Sequence, residues 1–230
     1  MKIYGLQKMT LLDYPEHVAC TVFLGGCDFR CPFCHNFELA DGSAEPLMEE
    51  EELFEFLSKR TGLLDGVAVT GGEPCLYREL PGFLSRVKEM GFPVKLDTNG
   101  YHPAMIKELL DRGLVDYIAM DIKNSVEKYA STCGVDYVDM ELIKKSIELI
   151  MNSGISYEFR TTVVKELHNV DDMAGIGMLI DGAESFFIQN FTDRDTVPYG
   201  DLHPHEKADL MAFKDAVKPF VKNVELRGID

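Results

Sequence analysis

The stretch Val18-Ala19-Cys20-Thr21-Val22-Phe23-Leu24-Gly25-Gly26-Cys27-Asp28-Phe29-Arg30-Cys31-Pro32-Phe33-Cys34 joins an apolar run to a glycine pair and then to three cysteines within eight residues. Val18 to Leu24 is short, apolar and closed by glycine, which predicts a buried strand. The same order, an apolar run stopping at small or polar residues, returns along the chain. Val67 to Val69 predicts a second strand that ends at Thr70 and Gly71-Gly72. Val94 to Leu96 predicts a third, ending in Asp97-Thr98-Asn99-Gly100, and Tyr117 to Met120 a fourth, ending in Asp121-Ile122-Lys123. Tyr157 to Val164 and Phe186 to Gln189 predict the fifth and sixth. Between them lie runs with apolar residues at helical spacing. These are Met48 to Arg60, with Leu53, Phe54 and Leu57 on one face; Leu80 to Met90, stopped by Gly91; Pro103 to Asp111, closed by Gly113; Met140 to Asn152; and Asp172 to Ile180. A last helix is expected over His205 to Val217.

Strands alternating with helices imply parallel neighbours, because a parallel pair needs a long crossover between its members. Six such units predict an α/β fold: a partial (β/α)6 barrel of parallel strands, TIM-like, with residues 1–230 as a single domain. Barrel enzymes gather their sites from the loops that follow the strands. Cys27, Glu73, Asp97 and Asp121 each stand just after a strand and are expected at one rim.

Composition narrows the function classes. Apolar residues make up 46% of the chain and charged residues 27%, which is ordinary for a folded protein. Lys and Arg number 23 against 39 Asp and Glu, a formal charge of −16 that repels duplex nucleic acid and anionic membranes. Met1 to Tyr14 lacks a basic stretch followed by an apolar run, and no segment approaches a membrane-spanning length. A cytoplasmic location is the expectation.

Six cysteines occur, at 20, 27, 31, 34, 75 and 133, and their clustering argues for metal or redox chemistry over structural bridges. Cys27, Cys31 and Cys34 form a Cys-x3-Cys-x2-Cys loop. Three thiolates at this spacing can cap three corners of a [4Fe–4S] cubane and leave the fourth iron open to an exogenous ligand. A zinc site completed by His35, or thiols that are merely buried, are the alternatives at this point. Phe33, between the last two cysteines, places an aromatic ring where it shelters a cluster edge. Cys20 is expected in the core and Cys75 as a small buried thiol, while Cys133 carries no reading.

Further segments stand beside this loop along the chain: Leu12-Asp13-Tyr14-Pro15, Cys34-His35-Asn36, Gly71-Gly72-Glu73-Pro74, Lys95 to Gly100, Met120 to Lys123 and Phe159-Arg160-Thr161-Thr162-Val163. Together they resemble the radical S-adenosylmethionine (SAM) superfamily, more closely the activating enzymes of glycyl-radical enzymes. Within that group the chain is most similar to the activating proteins of anaerobic ribonucleoside-triphosphate reductase. The resemblance implies a radical SAM core with one [4Fe–4S] cluster on Cys27, Cys31 and Cys34, and SAM bound to the open iron. It implies one-electron cleavage of SAM to methionine and a 5′-deoxyadenosyl radical, which takes a hydrogen from a glycine of a partner enzyme. An electron donor such as flavodoxin or ferredoxin is implied as well.

By the same resemblance, Gly71, Gly72 and Glu73 receive the amino end of SAM, and Phe33 lies beside its adenine. Asp97, Thr98 and Asp121, with Asn99 in the same cofactor-binding set, correspond to positions that hold a monovalent cation near the SAM carboxylate in some activases. Lys123 and Arg160 are implied at the SAM carboxylate, the ribose or the incoming peptide, and Gln189 at the adenosine. Fewer than eight barrel strands leave a lateral gap that admits a glycine loop of a large partner. The rivals are a radical SAM enzyme acting on a small molecule and a zinc-stabilised binding protein without catalysis.

Overall fold

The computed structural model describes residues 1–228. In chain order its strands are β1 (Lys2–Ile3), β2 (Gly5–Thr10), β3 (Ala19–Leu24), β4 (Met48–Glu49), β5 (Gly66–Gly71), β6 (Val94–Thr98), β7 (Tyr117–Asp121), β8 (Ser156–Val163), β9 (Ser185–Asn190) and β10 (Asn223–Arg227). Its helices are α1 (Phe37–Asp41), α2 (Glu50–Ser58), α3 (Leu80–Glu89), α4 (Pro103–Asp111), α5 (Tyr129–Thr132), α6 (Met140–Met151), α7 (Val170–Leu179) and α8 (Lys207–Val217). The main sheet has eight strands in the order β10-β9-β8-β7-β6-β5-β3-β2. All six expected strands are present, as the consecutive parallel neighbours β3, β5, β6, β7, β8 and β9. With helices in the crossovers, this is the open α/β barrel core.

Both edges carry strands the sequence did not announce. β10 continues the parallel order beside β9, and β2 folds back antiparallel along β3. An edge strand needs only one covered face, so its hydrophobic signal is weak. β10 reads Asn223-Val224-Glu225-Leu226-Arg227, and β2 is exposed along Gln7 to Met9. Three helix starts also shift. α7 begins two residues early, at Val170. Met48–Glu49 is withdrawn from the expected helix to pair with Lys2–Ile3, and Glu49 then forms a reciprocal cap with Glu52 at the start of α2. α8 begins two residues late because the side chain of Asn190 holds both backbone groups of His205, donating to its carbonyl and accepting from its N–H at 3.0 Å each.

Strand alternation positions the site. Cys20, Val22, Leu24, Val67, Val69, Leu96, Met120, Phe159 and Ile188 belong to the buried apolar core. Each such side chain, fully buried, contributes about 1.5–3 kcal/mol. The intervening residues Thr21, Thr70, Asp97, Asp121, Arg160 and Gln189 turn to the opposite, concave face. Lower on the strands, Glu158 is almost fully buried and is satisfied by a bidentate pair with Arg227, both contacts 2.9 Å, and by the Tyr117 hydroxyl at 2.9 Å.

Candidate functional site

The ends of β3 and β5 come together unusually closely. Gly72 donates its N–H to the Leu24 carbonyl at 2.9 Å, and Glu73 donates to the Gly26 carbonyl at 2.8 Å. A Cβ on Gly71, whose φ is 126°, would lie 2.1 Å from the Leu24 oxygen, and one on Gly72 would lie 1.9 Å from the Gly26 oxygen. Only glycine permits this approach, which places a bare backbone strip beside the cysteine loop.

Above that junction opens a cavity of about 340 Å³. Cys27, Cys31 and Cys34 line one wall together with Phe29 and Phe33. The sulfur of Cys27 accepts from the Phe29 backbone N–H at 3.4 Å and from the Asn99 side-chain amide at 3.8 Å. The orientation of that amide is fixed, because its oxygen already accepts from the Tyr101 N–H at 2.9 Å. Burial pushes the Cys27 thiol up to about 12 and raises that of Cys34. The neighbouring thiol of Cys133, donating to Cys31, draws Cys31 down to about 7 against the effect of its own burial. Thiols held protonated by burial ionise when a metal replaces the proton.

The facing wall is a chain of alternating charges across β6, β7 and β8. Lys95 pairs with Asp97; Arg160 donates to Asp97 at 3.0 Å and to Asp121 at 2.6 Å; Lys123 donates to Asp121 at 2.9 Å. Buried as they are, both carboxyls stay below the ordinary carboxylate range because Arg160 and the lysines offset their desolvation. All four carboxylate oxygens thus face side-chain cations, where the resemblance implied a monovalent cation. Thr98, Asn99, Gly71, Gly72 and Gln189 also reach the cavity.

Glu73 does not line that cavity. It is fully buried, and its carboxylate accepts from Cys75 N–H at 2.9 Å, Thr98 hydroxyl at 2.8 Å and Asn99 N–H at 2.6 Å. The side chain ties the loops after β5 and β6 together from beneath, which leaves the backbone of the Gly71-Gly72-Glu73 turn as the part nearer a ligand.

Which group the thiols suit follows from their spread. Zn–S bonds of about 2.3 Å bring tetrahedral sulfurs to about 3.8 Å from one another. Among the described residues no three His, Cys, Asp or Glu side chains converge as one ion requires. His35 also lines the cavity, but its Nε2 is engaged by the Thr192 carbonyl at 2.8 Å. Thiols distributed along a wall, sheltered by two aromatic rings and met by N–H donors, fit the corners of a cubane.

The sequence profile described as the radical SAM superfamily matches residues 21–175, the span from β3 into α7. The chain is a radical SAM protein. Enzymes of this superfamily use a [4Fe–4S] cluster and SAM. A Methanocaldococcus jannaschii protein named as a candidate glycyl-radical enzyme activating enzyme is 31% identical over 99% of this chain and 96% of its own length. The pyruvate formate-lyase-activating enzyme of Clostridium pasteurianum is 29% identical over 91% of this chain and 87% of its own. The radical SAM fold is shared with a methyltransferase of Sphaerobacter thermophilus, at a TM-score of 0.70 and 15% identity, covering 96% of this chain and 69% of that one. Among the described residues no helix is long and apolar enough to cross a membrane.

Residues of this radical SAM cavity to which the sequence reading gave no site role include Gln7, Thr21, Phe23, Ala40 and Thr162. Alternation against Cys20, Val22 and Leu24 was the available signal for Thr21 and Phe23. Gln7 depended on recognising β2. Asp13 also lines the cavity and accepts from the Thr21 hydroxyl at 2.6 Å.

Proposed function

We propose that this chain installs a glycyl radical on a partner enzyme, that the partner is anaerobic ribonucleoside-triphosphate reductase, and that a small electron-transfer protein of the flavodoxin or ferredoxin class supplies the electron. The reading is carried by kinship with named activating enzymes along nearly the whole chain. Cys27, Cys31 and Cys34 would hold the [4Fe–4S] cluster. When bound, cluster and SAM together supply one-electron cleavage of a carbon–sulfur bond and a 5′-deoxyadenosyl radical.

The chain's own residues then bind, orient and shelter. The backbone strip at Gly71-Gly72 lets the amino end of SAM lie flat against it, with no side chain intervening. Lys123 and Arg160 bring positive charge to a buried wall and can take up a carboxylate, while Asp97 and Asp121 hold them in place. Phe29 and Phe33 exclude water around the sulfurs, and Gln189 offers a polar contact for the nucleoside. A primary carbon radical attacks most C–H bonds, so selectivity rests on distance and enclosure. The gap between the edge strands β2 and β10 admits a loop bearing glycine.

The test is an anaerobic incubation with SAM, a reductant and the co-encoded reductase, followed by electron paramagnetic resonance. A glycyl doublet supports the proposal. 5′-Deoxyadenosine formed without a doublet on any co-encoded glycyl-radical enzyme contradicts it and points to a small-molecule substrate.

A further inference from the structure

Lys95 has no role so far beyond its pairing with Asp97, yet it is the most deeply buried member of the ionic wall. Its side chain is 3% exposed, against 15% for Lys123 and 17% for Arg160. Lys95 and Asp97 stand two residues apart on β6 and so share the concave face. The ammonium also lies over the ring of Tyr117, its partner in register on β7, at 5.9 Å from the centroid. A positive charge withdrawn from water and fixed between a carboxylate and an aromatic ring sits where a small bound ion would.

The positions implied for a monovalent cation, Asp97, Thr98 and Asp121, do not fit one as their partners stand. Lys95 takes Oδ1 of Asp97 and Arg160 takes Oδ2, while Arg160 takes Oδ1 of Asp121 and Lys123 takes Oδ2. The buried Thr98 hydroxyl accepts from the Gly100 N–H at 3.1 Å and donates to Glu73 at 2.8 Å. Three side-chain cations against two carboxylates leave the wall with one surplus positive charge. A metal ion would make that two, beside groups of its own sign and in a place where water screens them poorly. A single carboxylate meets the surplus one for one.

We propose that Lys95 stands in place of the monovalent cation: its ammonium holds Asp97, and through it Arg160, in position for the SAM carboxylate, so that SAM binds and is cleaved without sodium or potassium. The proposal rests on the reading of this cavity as the SAM site, not on the identity of the partner enzyme. A lysine ammonium is a compact point charge close to potassium in size, and a tethered one is present whatever the salt around the protein. Lys95 is thus a positioning residue, acting on SAM through Asp97 and Arg160.

The experiment is isothermal calorimetry of SAM with the anaerobically reconstituted holoprotein in tetramethylammonium, sodium or potassium chloride at a fixed ionic strength, with the yield of 5′-deoxyadenosine measured in parallel. The unsubstituted protein is expected to show the same affinity and yield in all three salts to within about twofold. A larger dependence on sodium or potassium overturns the proposal. Lys95→Met removes the charge and keeps the stem. It is expected to bind SAM about tenfold more weakly in the tetramethylammonium salt and to regain about threefold or more with sodium or potassium, because the vacated Asp97 oxygen is then open to an ion. A folded Lys95→Met protein whose affinity is the same in all three salts overturns the proposal, since Lys95 then only supports its strand. If Lys95→Met does not fold, the salt series on the unsubstituted protein decides by itself. A fully loaded unsubstituted protein that binds SAM in none of the salts would instead defeat the reading of the cavity, and this inference with it.

Discussion

Glu73 accepts the backbone N–H of Asn99 at 2.6 Å, from beneath the site and across the loops that end β5 and β6. With the donors from Cys75 and Thr98, this carboxylate has three N–H or O–H groups on two oxygens and no exposure. Glu73→Gln keeps the shape but turns an NH2 group toward at least one of those donors. The expected loss is about 1–3 kcal/mol in denaturant unfolding of the cluster-free protein. Because the Asn99 amide that meets Cys27 is set by the same loop, cluster occupancy should fall as well.

Glycine substitutions separate close approach from mere flexibility. Gly72→Ala drives a methyl group into the Gly26 carbonyl and must open the junction of β3 with β5. Destabilisation of about 3 kcal/mol is expected in urea titrations. Gly82, inside α3, has nothing within 4 Å of a Cβ and no positive φ, so Gly82→Ala should stabilise by about 0.5–1 kcal/mol.

Arg160 is the hinge of the ionic wall, since among the described residues it alone pairs with both Asp97 and Asp121. Removing it leaves two buried carboxylates with one lysine each. Arg160→Ala is expected to cost about 3 kcal/mol and to abolish measurable SAM binding by isothermal calorimetry. Arg160→Lys reaches one carboxylate at a time and should fall between.

His168 links stability to pH. Its Nδ1 accepts from the Val164 N–H at 3.1 Å, its Nε2 donates to the Lys123 carbonyl at 2.8 Å, and burial holds its pKa below the ordinary value. The unfolded chain takes up a proton near pH 6.5, while the folded chain does so only at lower pH. The contribution of His168 is therefore complete above pH 6.5 and declines as pH falls toward its folded pKa. Urea midpoints should drop between pH 7.5 and 5.5, and His168→Gln, which cannot titrate, should flatten that decline.

Much of this arrangement was legible in the residues. A strand buried on its helix-facing side leaves a strong apolar signal, which is why Val67–Val69 and Tyr117–Met120 could be placed, and why Cys27, Asp97 and Asp121 could be assigned to one rim. β2 and β10 were not legible, because edge strands need little apolar character and their register is set by neighbours distant in sequence. Glu73 shows a further limit. Its position after a strand identified the loop, but whether its side chain points into the cavity or beneath it depends on Thr98 and Asn99, donors some 25 residues away. Cys133 was silent for a similar reason, since only the packing of α5 against Arg30 brings it to the cysteine loop.

The most direct test of the central claim is the yield of 5′-deoxyadenosine from SAM by anaerobically reconstituted, reduced protein. The account predicts that protein carrying about four irons and four sulfides forms it, and that Cys31→Ala, still folded, forms none. Continued cleavage by Cys31→Ala, or none by fully loaded unsubstituted protein, would contradict the assignment of Cys27, Cys31 and Cys34 as the ligands of a cluster whose fourth iron meets SAM.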